Sequence, residues 1–144
     1  MTRLAVCLAV LTGLAACAQQ PFTSPDDKEP ARKNVVINFG NADIMPADAR
    51  VDQGGSVAFS NISSYAAVVV LPEDERAKFP CEMRPDWAKV AAGYQSIPIQ
   101  GDSDDVVLPC LPPPGTYPYT INLYRDLETP DDPDFTLSGR IIVE

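Results

Sequence analysis

Residues 44–61 read IMPADARVDQGGSVAFSN, and their spacing decides the fold class. Ala49 and Val51 alternate with polar neighbours, Gly54-Gly55 intervenes, and Val57 and Phe59 resume the same period of two. That period places successive side chains on opposite faces of an extended strand, one apolar and one wet. The pattern continues outward in both directions. Val35, Ile37 and Phe39 precede the stretch, and the valine-rich run 65–71 that follows suits a strand buried on both faces. Ile97 with Ile99, the run 106–108, Tyr117, Tyr119 and Ile121 after Pro114-Gly115, and Ile141 with Val143 after Gly139 complete the series. Seven or eight short strands separated by turn residues predict an all-β Greek-key sandwich. The interval 72–93 breaks the period. Its segments 73–79 and 85–92 are rich in helix formers, which predicts a short helical excursion near 73–92, with Pro80 ending its first part.

The N-terminus has its own logic. Arg3, the apolar residues 4–14 and Leu14-Ala15-Ala16-Cys17 form a charged start, a short hydrophobic core and a small-residue ending. The core is too short for a spanning helix and predicts a cleaved signal peptide over residues 1–16. The ending resembles the lipobox of bacterial lipoproteins. The resemblance implies lipidation of Cys17 by diacylglyceryl and palmitoyl chains, each buried CH₂ contributing about 0.8 kcal/mol to membrane binding. An ordinary secretory signal with an incidental Cys17 is the other reading of these residues. Ala18, where an aspartate would favour inner-membrane retention, implies an outer-membrane protein facing the periplasm. Residues 17–33 are polar and Pro-rich, as expected of a flexible tether, leaving 34–144 for a single folded domain.

The net charge of −9 argues against nucleic acid as a partner, since phosphate binding needs an excess of Lys and Arg. Within the domain only Cys81 and Cys110 remain. In an oxidising compartment such a pair favours a disulfide, which would close a loop of about 30 residues and contribute about 3 kcal/mol. A thiolate metal site that includes Met83 is the alternative.

The order Ile44-x-Pro46-x-x-Ala49-x-Val51-x-x-Gly54-x-x-Val57-x-Phe59-x-Asn61 resembles the second and third strands of cupredoxins, the small blue-copper carriers. The run 65–70 resembles the strand that begins at their first copper ligand. Pro114-Gly115-Thr116-Tyr117 is similar to the turn into the penultimate strand, and Leu137-x-Gly139-x-Ile141-x-Val143 to the last strand. A fibronectin-like or immunoglobulin-like sandwich is the plainer alternative. The cupredoxin resemblance implies a trigonal site of two imidazoles and a thiolate with a weak axial thioether. The first ligand position falls on Ala67, the thiolate near Ile121, the second imidazole near Tyr124 and the axial group on Leu137. The chain contains no histidine at all, so blue-copper electron transfer is excluded by composition.

Other chemistry is equally sparse. Lack of an imidazole base removes the usual hydrolase arrangements, and the carboxylates form no recognisable catalytic pair. Asp102, Asp104 and Asp105, and then Asp126, Glu128, Asp131, Asp132 and Asp134, form two acidic clusters without the spacing of a calcium loop. Met45 and Met83 suit core packing better than a Cu(I) site. Tyr65 and Tyr124 flank the vacated ligand positions, either as a contact surface or as filling for the emptied pocket. The expectation is therefore a cofactor-free, non-enzymatic envelope lipoprotein that binds a protein partner. The alternative is a Cu(I)-handling lipoprotein using Cys81, Met83 and Cys110.

Overall fold

The computed structural model describes residues 31–72, 85–102, 104–108, 110–128 and 132–144. Among these, nine strands form and no helix. They are β1 (Arg32–Phe39), β2 (Ile44–Met45), β3 (Asp48–Asn61), β4 (Ala66–Pro72), β5 (Trp87–Val90), β6 (Gly93–Ser96), β7 (Asp104–Val107), β8 (Gly115–Tyr124) and β9 (Phe135–Val143). The all-β class expected from the alternation is present, with more strands than the seven or eight expected.

β3 is shared between two layers. Its first residues, Asp48 to Val51, pair in parallel with Arg140 to Val143 of β9. Its last residues pair in parallel with β1 and antiparallel with β7. Gly54, at φ 82°, and Gly55 lie between these halves, where the β1 register also shifts. One layer is thus β2-β1-β3-β7, and the other runs β3-β9-β8-β4-β6-β5. The alternating residues Val35, Ile37, Phe39, Val57 and Phe59 meet Tyr117, Tyr119, Ile121 and Ile141 in the core between them. Val68 and Val69 of β4 are both buried, as the unbroken apolar run predicts.

Residues 87–90 correct the helical expectation. They form β5, which pairs with β6 from Trp87↔Ser96 to Val90↔Gly93. Trp87 is buried, its indole N–H donates to the Val107 carbonyl at 3.1 Å, and its ring lies 6.3 Å from that of Phe59. These tertiary contacts outweigh the helix propensity of Ala88 and Lys89. Ile97 and Ile99 form no strand of their own; Ile99 makes a single bridge to Ala67. Residues 73–84, the rest of the expected excursion, lie outside the described residues. At the entry to β8, the Tyr117 hydroxyl donates to the Pro113 carbonyl at 2.6 Å and pins the 113–116 turn, a device typical of Greek-key sandwiches.

The Gly54-Gly55 step fits only glycine, for two different reasons. A Cβ at Gly55 would stand 2.2 Å from the Lys33 carbonyl, whereas one at Gly54 would meet nothing within 4 Å. Gly54→Ala should therefore lose only the left-handed backbone preference, about 1–2 kcal/mol. Gly55→Ala should cost more, about 3 kcal/mol, by forcing β1 away from β3. Urea unfolding of the two variants checks this order; equal losses would mean that β1 does not approach Gly55 closely.

Tyr119 lies across Gly139, its register partner on β9, and packs edge-on to Phe59 at 5.1 Å. Its hydroxyl is buried and has no hydrogen-bond partner. Burial, and secondarily the Asp48 carboxylate, push its ionisation well above that of an ordinary tyrosine. A raised acid of this kind contributes stability below its unfolded pKa of about 10, and that stability is lost as pH rises beyond it. Tyr119→Phe should be about 1 kcal/mol more stable at neutral pH, because an unpaired buried hydroxyl is removed. It should also lose part of the alkaline decline above about pH 10. Thermal melts of both proteins between neutral and alkaline pH measure the two effects, and an unchanged alkaline slope would rule out Tyr119 as its source.

Candidate functional site

The end of the sandwich where β3, β4, β8 and β9 meet gathers the positions singled out in the sequence. In register, Ala66 faces Tyr124, Ala67 faces Leu123, Val69 faces Ile121, and Ile121 faces Leu137. Ala67, Ile121, Tyr124 and Leu137 therefore lie on three adjacent strands. Ala67 and Ile121 are fully buried, and Leu137 packs against the core from a half-buried position. The place where the resemblance would put a metal is occupied by methyl, butyl and phenol groups. None of these is an imidazole or a thiolate.

Tyr124 is 4% exposed and so presents almost no area to a partner. Tyr65 is half-buried and packs edge-on against Phe135, with centroids 5.5 Å apart and planes at 83°. The Arg125 guanidinium stands 6.0 Å from the Tyr65 ring, at the limit of a cation–π contact. Tyr65 first, then Asp134, hold that guanidinium above its ordinary pKa. The backbone N–H of Arg125 donates to the Asp134 carboxylate at 2.7 Å, closing the base of the 125–134 loop. The apolar surface at this end comes from residues that the sequence did not single out: Ile62 is 59% exposed and Phe135 47%.

A buried amide fixes this end. Asn61 Nδ2 donates to the carbonyls of Tyr65 at 2.8 Å and Ile99 at 2.9 Å. Its Oδ1 accepts from the Ser63 N–H at 2.9 Å and the Ser63 hydroxyl at 2.6 Å. The Ser63 oxygen also accepts the Tyr65 N–H at 3.1 Å. Ile99 and Ala67 exchange backbone bonds of 2.8 and 2.9 Å, so Asn61 holds the first vacated position through Ile99. The sequence offered one clue, Asn61-x-Ser63 at a strand end; the Ile99 partner lies 38 residues away.

The remaining candidates are dispersed. Met45, expected in the core, is 69% exposed on the two-residue β2. Asp126 accepts the Glu128 N–H at 2.9 Å, and the Asp102 N–H donates to the Ser63 carbonyl at 3.3 Å. No group of three or more His, Cys, Asp or Glu among the described residues is arranged to hold a metal. Cys110 is disulfide-bonded. Its expected partner Cys81 lies outside the described residues, as do Met83, Asp131 and the lipidation position Cys17.

The architecture is an all-β sandwich, with hydrocarbon and phenol at the positions that the sequence resemblance assigns to copper ligands. The chain is similar to a mutant plastocyanin of fern at 16% identity and a TM-score of 0.49, over 76% of this chain and 100% of that one. It is also similar to auracyanin B at 14% identity and a TM-score of 0.43, over 81% of this chain and 92% of that one. No family model and no curated protein matches it.

Asn61→Ala would remove one of two donors from each of the Tyr65 and Ile99 carbonyls and the acceptor of the buried Ser63 N–H. We expect a loss of about 2–4 kcal/mol from these four hydrogen bonds and the Ser63 N–H left unpaired. Asn61→Asp, which keeps the acceptor but not the donor, should lose nearly as much at neutral pH. Denaturant unfolding measures both; a loss under 1 kcal/mol, about the worth of one ordinary hydrogen bond, would show that the amide is not what organises this end.

Proposed function

We propose that this is a copper-free, cupredoxin-like lipoprotein of the cell envelope that acts as a protein-interaction or assembly module and not as an enzyme. In this reading Cys17 carries the lipid, the residues between it and β1 form the tether, and the domain faces the periplasm from the outer membrane. The observation that carries the binding role is the loop end itself. Ile62 and Phe135 present apolar surface beside the half-buried Tyr65, on a frame fixed by the Asn61 amide. An apolar centre on rigid strands, with pre-ordered side chains, binds with little loss of conformational entropy. The Cu(I)-handling alternative gains nothing at Cys110, because a disulfide sulfur is not a thiolate ligand.

The test uses the full chain produced in a diderm bacterial host. Photo-crosslinking from position 62 and from position 135 should give the same discrete adduct in intact cells, and Phe135→Asp should abolish the adduct formed from position 62. Cys17→Ser should lose labelled palmitate and move the chain to the soluble periplasmic fraction. Unrelated, diffuse adducts from the two positions would sink the interaction role. Stoichiometric Cu(I) capture from a chromogenic chelator by the purified protein would replace it with copper handling.

A further inference from the structure

The loop end that carries the apolar surface is also the acidic end of the molecule. Asp126, Glu128, Asp132 and Asp134 are exposed on the loop between β8 and β9, which leads into Phe135. Asp126 accepts the Glu128 N–H at 2.9 Å, and Asp134 accepts the Arg125 N–H at 2.7 Å. A backbone donor orders a carboxylate without cancelling its charge. Among the described residues, Arg125 is the one Lys or Arg at this end, and it offsets a single carboxylate. Arg32 and Lys33 open β1, and Arg50 and Arg140 lie where the first half of β3 pairs with β9. Lys89 faces Tyr94, the partner of Leu71 near the far end of β4. The ion pairs Arg50–Glu144 and Arg140–Asp48 belong to that remote end.

The loop end already holds a cation. The Arg125 guanidinium stands 6.0 Å from the Tyr65 ring, which packs edge-on against Phe135. Aromatic rings beside carboxylates are the chemistry that receives lysine and arginine. Ile62 and Phe135 remain exposed there. A wholly apolar partner would strip water from the carboxylates without supplying a counter-charge. A second copy would set the same carboxylates against each other, and the phosphates of a lipid surface or nucleic acid would be repelled. A partner with both apolar and basic side chains satisfies both halves of the surface.

We infer that the partner at the loop end presents a basic, apolar protein segment. Its apolar side chains cover Ile62 and Phe135, and its lysine and arginine side chains meet Asp126, Glu128 and Asp132. This rests on the interaction role proposed above and supplies the chemistry of the partner. The carboxylates steer the encounter and select the segment, and the apolar area holds the complex once formed.

The probe is a dansyl-labelled, amidated peptide that alternates arginine and leucine over about six residues, roughly 20 Å when extended. Stopped-flow fluorescence with the full chain should show saturable binding. The variant Asp126→Asn, Glu128→Gln, Asp132→Asn keeps the acceptor for the Glu128 N–H and removes three charges. It should associate at least about tenfold more slowly, with dissociation little changed. Phe135→Asp should dissociate faster without associating more slowly, although it adds a negative charge; tighter binding by that variant would mean a diffuse charge effect and overturn the inference. Absence of saturable binding, or equal rates for the glutamate–leucine peptide, would overturn it as well. In intact cells the triple variant should also weaken the discrete adduct formed from position 62. An adduct that persists undiminished would overturn the basic partner and leave the interaction role standing, whereas diffuse adducts from the unaltered chain would remove both.

Discussion

Everything in this fold depends on β3 serving both layers. A sandwich needs its two apolar faces opposed, and here one strand supplies residues to each. Ala49 and Val51 enter the core from the layer of β9, and Val57 and Phe59 from the layer of β1. The crossing is possible because Gly54 takes a left-handed backbone and Gly55 lets the Lys33 carbonyl approach to where a side chain would stand. The same routing explains β2. The chain must abandon the edge of β1 after two residues in order to start β3 in the other layer.

At the loop end, hydrocarbon fills the positions that the sequence resemblance would assign to metal ligands. A metal site in a dry pocket needs ligands oriented by second contacts, and it carries the desolvation cost of its charge. Ala67, Ile121 and Leu137 carry no such cost. Each buried methylene there contributes about 0.8 kcal/mol instead. What remains of the demand for precise geometry rests on Asn61, whose four hydrogen bonds leave no polar atom of its amide unmatched. A fully satisfied buried amide gives a unique arrangement of loops, which suits a surface that must be presented and not rearranged.

The alternating strands were legible because a period of two is a local signal, and apart from Tyr124 the buried apolar residues of β1, β3, β8 and β9 follow it from Val35 to Val143. Trp87–Val90 was not. Its residues are helix formers, and pairing with β6 together with contacts of Trp87 to Val107 and Phe59 fixes it as an edge strand. Tyr124 was open between a contact surface and filling. It follows Leu123, which faces the core, yet it too is buried, which leaves only the filling role. Met45 inverted the same logic: a large apolar residue on a strand of two residues has no second layer above it. For Trp87 the packing partners Phe59 and Val107 lie far away in the chain, and no local pattern reports them.

The strand directions set where the loop end stands. β1 runs parallel to the second half of β3, so Arg32 lies at the end remote from Asn61 and Tyr65. A chain tethered ahead of Arg32 would hold its apolar loop end away from the anchor. Contact there would depend on buried area at Ile62 and Phe135, and so, once formed, would be largely insensitive to salt.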